Sequence, residues 1–126
     1  MKKLLILLFS LLISFNSYAK WTKVYVSEEE GNTIYLDYSS LKKNKGHHFI
    51  WGLMDNLKPS EYGGHLSSKM LVELDCSTPP RGRILAISYF DIPMGKGTPS
   101  STDNVTGLWE TLTPYSEKVF AKVCKK

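Results

Sequence analysis

Apolar and polar positions alternate in Ser68–Asp91 in the way expected of two strands joined by a turn. Before the turn, apolar side chains recur at every second position from Met70 to Cys76, and this period of two predicts a strand with one buried face. After a Pro-Gly turn, Ile84–Phe90 is an almost continuous apolar run, which is typical of a central strand covered on both faces. We therefore predict a long hairpin at the centre of a sheet.

The same reasoning predicts further strands on either side of this hairpin. Short runs of aromatic and β-branched residues, bounded by charged or glycine-containing turns, are found at Trp21–Val26, Thr33–Asp37, His47–Asn56 and Leu108–Leu112. Asp37–Leu41 is predicted to form a short turn in which Asp37 accepts backbone N–H groups. The lysine-rich stretch that follows, up to Gly46, is predicted to form a basic turn.

One helix is predicted at the C-terminus. Thr113 offers an N-cap oxygen and Pro114 suits the first helical position. Val119, Phe120 and Val123 then fall on one helical face. A helix this short needs packing partners to be stable. The predicted fold class is therefore α+β: an antiparallel β-sheet of about five or six strands with one C-terminal helix packed on it.

The first 19 residues have the pattern of a signal peptide. Lys2 and Lys3 precede an apolar core, and Ser17-Tyr18-Ala19 places small residues at the two positions that a signal peptidase recognises. We expect residues 20–126 to form a single exported domain, with no integral membrane span after cleavage. No cysteine lies near the cleavage site, so lipid modification is not expected there. Periplasmic and secreted locations both remain open.

The cysteine count and the charge narrow the class of protein further. Two cysteines in an exported chain predict one disulfide, Cys76–Cys124. The formal charge is +4, and it falls to +2 without the two lysines of the signal peptide. Such a weak positive balance is not that of a nucleic-acid-binding protein.

Residue types suited to catalysis or to metal binding are few. His47 and His48 are neighbours on a predicted strand and should point to opposite faces, so they cannot both bind one metal ion or haem. His65 could approach one of them only if the loop after Asn56 folds back. Ser67, His65 and Asp75 lack the sequence signature of a catalytic triad. We therefore predict no enzyme activity, no cofactor and no metal site.

Surface recognition is the better-supported function class. Basic and aromatic side chains occur together near the predicted turns, where they could bind an acidic protein or glycan. Ordinary solvated lysines are the alternative. The candidate protein-binding residues are Lys42, Lys43, Lys45, Tyr62, Arg81, Arg83 and Tyr89. The long Gly-, Pro-, Ser- and Thr-rich stretch Ile92–Gly107 is predicted to be a loop, either functional or only a connection.

In its order of motifs, the chain resembles the surface-adhesin protein E-like family of small exported bacterial proteins. The residues that carry the resemblance span nearly the whole predicted domain. They are Trp21, Tyr35-Leu36-Asp37, Ser40-Leu41, Trp51, Glu73, Asp75-Cys76, Arg83, Tyr89, Gly95-Lys96-Gly97, Trp109, Pro114, Ser116 and Val123-Cys124.

This resemblance implies an antiparallel sheet with a C-terminal helix, a disulfide that joins the two, and no catalysis. It also implies a binding function: an adhesin-like module that recognises host extracellular proteins or bacterial envelope proteins. The alternative is a periplasmic inhibitor or accessory protein that docks on a secreted or envelope enzyme.

Overall fold

The computed structural model describes residues 20–59, 63–104 and 106–125. The elements in chain order are β1 (Thr22–Ser27), β2 (Asn32–Asn44), β3 (His47–Asn56), β4 (Ser67–Asp75), β5 (Arg81–Phe90), a single 3-10 turn (Pro93–Gly95), β6 (Ser101–Asp103), β7 (Glu110–Thr111) and α1 (Pro114–Val119). The predicted signal peptide and Tyr62 lie outside the described residues. No helix among the described residues is long and apolar enough to cross a membrane.

The strands form one antiparallel sheet of seven strands, slightly more than the five or six predicted. They follow the order β1-β2-β3-β4-β5-β6, and β7 also pairs with β5. Both β6 and β7 are very short, and they pair with different parts of β5. The extra strand comes from the Ile92–Gly107 loop, where alternation is too brief to be recognised in the sequence.

β2 is much longer than predicted, because the expected turn after Asp37 is a bulge inside the strand. Asp37 Oδ1 accepts a hydrogen bond from the Ser39 backbone N–H at 3.0 Å, as the sequence suggested. Ser40 Oγ donates to the Asp37 carbonyl and accepts from the Trp51 N–H at 3.0 Å. The serine hydroxyl thus replaces a missing backbone acceptor, and pairing with β3 resumes at Lys42.

The predicted basic turn is correspondingly smaller. Only Lys45 and Gly46 connect β2 to β3, and both have positive φ angles, 52° and 82°. This two-residue connection matches the right-handed twist of the flanking strands. Lys42 and Lys43 therefore lie in β2 rather than in the turn, and successive strand residues point to opposite faces.

One face of the sheet carries the hydrophobic core. Ile34, Leu36, Ile50, Val72 and Leu74 alternate along β2, β3 and β4 and are all buried. Side chains of the C-terminal segment complete this cluster, so we call this side of the sheet the helix face. The alternation seen in β4 from the sequence is therefore the alternation that forms the core.

The helix docks as predicted, but it ends sooner. Thr113 and Ser116 form a reciprocal capping box, in which the Ser116 N–H donates to Thr113 Oγ1 and the Thr113 N–H donates to Ser116 Oγ. The helix ends at Val119, and turns carry the chain onward. Val119 and Val123 still reach the core. The Cys76–Cys124 disulfide closes a separation of 48 residues and ties this segment to the sheet.

The opposite face of the sheet, here called the open face, is covered only at one end. The segment around Pro93–Gly95 lies there, and Gly95 is buried. Its backbone N–H donates to Ser67 Oγ at 2.8 Å, and the Met94 N–H donates to Asp55 Oδ1 at 2.7 Å. A Cβ on Gly95 would lie 3.1 Å from a Leu53 methyl group. Leu53 is buried beneath this segment, so part of the predicted loop is a structural cover.

The central hairpin differs from its prediction in two ways. Its turn precedes Arg81, and Gly82 is a buried strand residue. The Gly82 backbone packs closely on Leu74, since a Cβ at this position would lie 3.0 Å from Leu74 Cδ2. β5 is also less covered than its apolar run suggested, and Ile84 remains 38% exposed. Ile84 lies on the helix face, and the helix packs over the far side of the sheet, where Tyr115 contacts Tyr25 of β1 at a centroid distance of 4.5 Å.

Candidate recognition site on the open face

The uncovered part of the open face lies at the end of the sheet nearest the β2–β3 turn. Rows of cross-strand partners define it. Lys42, Phe49, Glu73 and Arg83 form one row across β2, β3, β4 and β5. Partners in adjacent strands point to the same side of a sheet, so all four side chains belong to this face.

Both arginines of the chain lie in this region, and both contact the same tryptophan. The guanidinium carbons of Arg81 and Arg83 lie 4.6 Å and 4.4 Å from the centroid of the Trp109 ring. These distances are within the range of cation–π attraction. We call Arg81, Arg83 and Trp109 the arginine–tryptophan cluster.

Two carboxylates fix the positions of the arginines. Arg83 Nε donates to Glu73 Oε1 at 2.8 Å, and Arg81 Nε donates to Asp75 Oδ2 at 3.0 Å. The charges of each arginine and its carboxylate are thereby balanced. The cluster is held in place by β4, because Glu73 and Asp75 are the cross-strand partners of Arg83 and Arg81.

His47 completes the network from the neighbouring strand β3. Its Nδ1 lies 2.8 Å from Glu73 Oε2, and a carboxylate only accepts, so Nδ1 carries the proton. The imidazole also meets the ring of Trp109 edge to face at a centroid distance of 5.4 Å. Trp109 is therefore contacted by three side chains from two strands.

Both carboxylates are held in their ionised form. Burial alone would raise the pKa of Glu73, but hydrogen bonds from His47 and Arg83 outweigh it and lower that pKa. Hydrogen bonds from Ser77, together with the one from Arg81, lower the pKa of Asp75 to about 2. At neutral pH the arginines consequently face full negative charges.

Trp51 adds an exposed aromatic surface beside this network. It points to the same face as Phe49, two residues earlier in β3, and is 37% exposed. Its cross-strand neighbour Leu71 is half-buried. The open face therefore presents an aromatic and apolar centre, with two arginine–carboxylate pairs and the exposed Lys42 along one side.

Of the seven predicted recognition residues, the structure brings three together here: Lys42, Arg81 and Arg83. Lys43 points to the other side of β2, and Lys45 is at the tip of the turn. Tyr89 stacks on His65 at a centroid distance of 4.6 Å. It lies six residues beyond Arg83 along β5, about 20 Å away at roughly 3.3 Å per residue.

The histidines considered as metal ligands lie in separate environments. His47 contacts Glu73, whereas His48 Nδ1 lies 3.5 Å from Cys76 Sγ and His65 stacks on Tyr89. In the described part of the chain, no three His, Cys, Asp or Glu side chains are grouped as metal ligands.

These features define a class of small domains in which a disulfide joins an antiparallel sheet to a short C-terminal helix. The family model for surface-adhesin protein E matches residues 21–125. The chain therefore belongs to the surface-adhesin protein E family. This is a family of surface adhesins rather than of enzymes, and it implies an exported or surface protein.

Solved structures of Haemophilus influenzae protein E share the fold. Crystal form II is 13% identical, with a TM-score of 0.53 and coverage of 82% of this chain and 98% of that one. The selenomethionine form is 15% identical, with a TM-score of 0.54 and coverage of 86% and 98%. The structure from the non-typeable form is 11% identical, with a TM-score of 0.53 and coverage of 86% and 83%. No curated protein sequence matches the chain.

Proposed function

We propose that the protein is an adhesin-like binding protein that recognises an acidic segment of a host extracellular or bacterial envelope protein. The observation that carries this proposal is the arginine–tryptophan cluster beside the exposed Trp51 on an uncovered sheet face. Tryptophan and arginine are the residue types that most often dominate binding energies at protein interfaces. Family membership supports the same function class.

The geometry favours binding because the cationic groups are already ordered. Among the described residues, the hydrogen bonds of Arg81 and Arg83 use Nε, so their terminal amino groups remain for a partner. A carboxylate can accept two parallel hydrogen bonds from such a group. Since the carboxylates of β4 hold both side chains, binding costs less conformational entropy than it would with mobile arginines.

Lys42 extends the cationic surface across the face. It is exposed and lies opposite Phe49. A charge at the rim mainly raises the association rate and its dependence on salt. We therefore assign Lys42 a steering role and the arginine–tryptophan cluster the larger share of the affinity.

The test is binding of the mature chain, residues 20–126, to a panel of immobilised extracellular-matrix proteins and to envelope extracts of the native host. Trp51→Ala and Arg81→Ala should each weaken binding about tenfold or more, as expected for interface hot spots. Leu57→Ala is the matched control, because Leu57 is 79% exposed and lies beyond β3. Equal affinities of Trp51→Ala, Arg81→Ala and the control would refute the proposed surface.

The identity of the captured protein distinguishes an adhesin from an inhibitor or accessory protein. Capture of matrix proteins supports an adhesin. Stoichiometric inhibition of a captured envelope enzyme supports the alternative, an inhibitor or accessory protein.

Protease digestion of intact cells tests the location of the protein, with cells whose outer membrane has been permeabilised as the control. Digestion in intact cells supports surface display, and protection until permeabilisation supports a periplasmic protein whose residues 1–19 are removed as a signal peptide.

A further inference from the structure

His47 lies between the two carboxylates that hold the arginines of the recognition site. It is the cross-strand partner of Asp75, and its Nε2 lies 3.9 Å from Asp75 Oδ2. Its Nδ1 lies 2.8 Å from Glu73 Oε2. The histidine side chain is 31% exposed, so it exchanges protons with the solvent. One ring therefore meets both acidic groups of the network through its two nitrogen atoms.

The charges of this network cancel as long as His47 is neutral. Arg81 and Arg83 carry two positive charges, and Asp75 and Glu73 carry two negative charges. Burial opposes ionisation of Glu73, but the hydrogen bonds to both carboxylates lower their pKa values, so neither takes up a proton at mildly acidic pH. Arginine also keeps its charge there. Histidine is the side-chain type whose charge changes between about pH 5 and pH 8, so within this network the change falls on His47.

The other groups around His47 on the open face are neutral or positively charged. On β2 its cross-strand partner is an asparagine, and Lys42 lies two residues earlier on the same side of the strand. Lys45 is in the adjacent turn. Trp109 contacts the imidazole from the segment that leads into β7, whereas Glu110 pairs with a helix-face residue of β5 and so points to the opposite side. The carboxylates that His47 meets are thus those that already bind the arginines.

Protonation of His47 changes the role of its second nitrogen. Nδ1 already donates to Glu73, so the additional proton goes to Nε2. This nitrogen then faces Asp75 Oδ2 as a donor, and the same oxygen accepts from Arg81 Nε at 3.0 Å. At 3.9 Å the Nε2–Oδ2 pair is too long for a hydrogen bond, so the new interaction is a Coulomb attraction. Asp75 then balances two cations, and more of the Arg81 charge is available to an acidic partner.

We propose that His47 is a pH switch of the recognition site, and that its protonation strengthens binding of an acidic partner. This inference rests on the proposed function, because it concerns the same surface. Protonation adds a third positive charge to a network of two arginines and two carboxylates. If a carboxylate of the partner lies about 4 Å from the imidazole, one more positive charge raises the affinity about fivefold in water.

The experiment measures binding of the mature chain, residues 20–126, to a biotinylated oligo-aspartate peptide by biolayer interferometry. Aspartate side chains are ionised at both about pH 5.5 and about pH 7.5, so the charge of the probe stays constant. We expect wild-type affinity to be about fivefold higher at the lower pH. His47→Gln retains a donor for Glu73 but cannot take up a proton, so its affinities at the two pH values should be equal. His48→Gln is the matched control: His48 points to the other face of β3, and this variant should keep the wild-type ratio.

Proton uptake on binding is a second readout, which a merely structural role of His47 would not produce. Linkage is reciprocal, so a partner that prefers the protonated protein draws protons onto it when binding takes place near about pH 6.5. Isothermal titration calorimetry in buffers with different ionisation enthalpies measures this uptake. We expect a fraction of a proton per bound peptide in the wild type and in His48→Gln, and none in His47→Gln. The wild-type measurement tests the switch even if His47→Gln is unstable.

Two results would overturn the switch and leave the proposed function intact. The first is clear binding of the peptide to the wild type with equal affinity at the two pH values and no proton uptake. The second is a pH dependence in His47→Gln that equals that of the wild type. Absence of peptide binding at both pH values would instead refute the acidic partner of the proposed function, and the switch with it.

Discussion

Replacing Glu73 by Gln tests the carboxylate that supports the recognition site. The Glu73 side chain is 8% exposed and accepts hydrogen bonds from Arg83 Nε and His47 Nδ1, both at 2.8 Å. Glutamine preserves the shape but removes the charge, and it can accept only one of these two bonds without turning a donor toward the other. Loss of one hydrogen bond to a charged group costs about 2 kcal/mol of unfolding free energy at pH 7.

The pH dependence of this loss distinguishes the electrostatic explanation from a packing defect. The pKa of Glu73 is lowered in the folded state from its ordinary value of 4.5. The ionised carboxylate therefore stabilises the fold fully above pH 4.5, and this contribution is lost as the pH falls through the lower native pKa. Wild type and Glu73→Gln should accordingly become more similar in stability below about pH 4.

The assay is urea unfolding followed by tryptophan fluorescence at several pH values from neutral to acidic. Glu110→Gln serves as the matched control, because Glu110 is exposed and should show a change of less than about 0.5 kcal/mol throughout. A loss in Glu73→Gln that stays constant with pH would refute the electrostatic reasoning, and no loss at pH 7 would remove Glu73 from the network.

Three further substitutions test the framework that presents the recognition site. Cys124→Ala opens a loop with a sequence separation of 48; it should lower the unfolding free energy by about 4 kcal/mol on the chain-entropy model, and an unchanged urea midpoint in non-reducing buffer would contradict this. Thr113→Ala removes the N-cap of α1 and should cost about 1 kcal/mol, measured in the same way; a loss near zero would mean that the cap is not formed in solution. Gly95→Ala adds a Cβ at a φ of 62° and within 2.5 Å of Lys69 Cε, so amide hydrogen exchange should accelerate around residues 92–97, and unchanged protection would contradict the tight packing of that cover.

The sequence predicted the elements whose signals are local. β3 begins and ends where its apolar run does, and Thr113 caps α1 as its residue type indicates. The extent of β2 was not predictable in this way, because Asp37 and Ser40 have the side chains of a turn. Their hydrogen bonds instead hold a bulge against β3, and that role depends on a partner strand distant in sequence.

Only part of the recognition site could be predicted from the sequence. Arg81 and Arg83 are among the predicted binding residues. Glu73 and Asp75, which fix their positions, are not. A usable signal was present, because Glu73 and Asp75 repeat every second residue before the turn, as the two arginines do after it. Pairing these repeats across a hairpin would have placed opposite charges face to face. Trp109 lies in the predicted strand Leu108–Leu112, but nothing in so short a run indicates that its side chain contacts the two arginines.

The segment that carries Trp109 is bonded to β5 and to the residue before it: the Gly107 N–H donates to the Ile84 carbonyl, and the Leu112 N–H donates to the Pro80 carbonyl. The contacts of Trp109 with the two arginines help to hold this segment in place.

Trp109→Ala should therefore weaken partner binding and also accelerate amide hydrogen exchange at Gly107 and Leu112, whereas Trp51→Ala should weaken partner binding alone. Unchanged exchange in Trp109→Ala, with partner binding reduced, would show that the segment is held without the tryptophan.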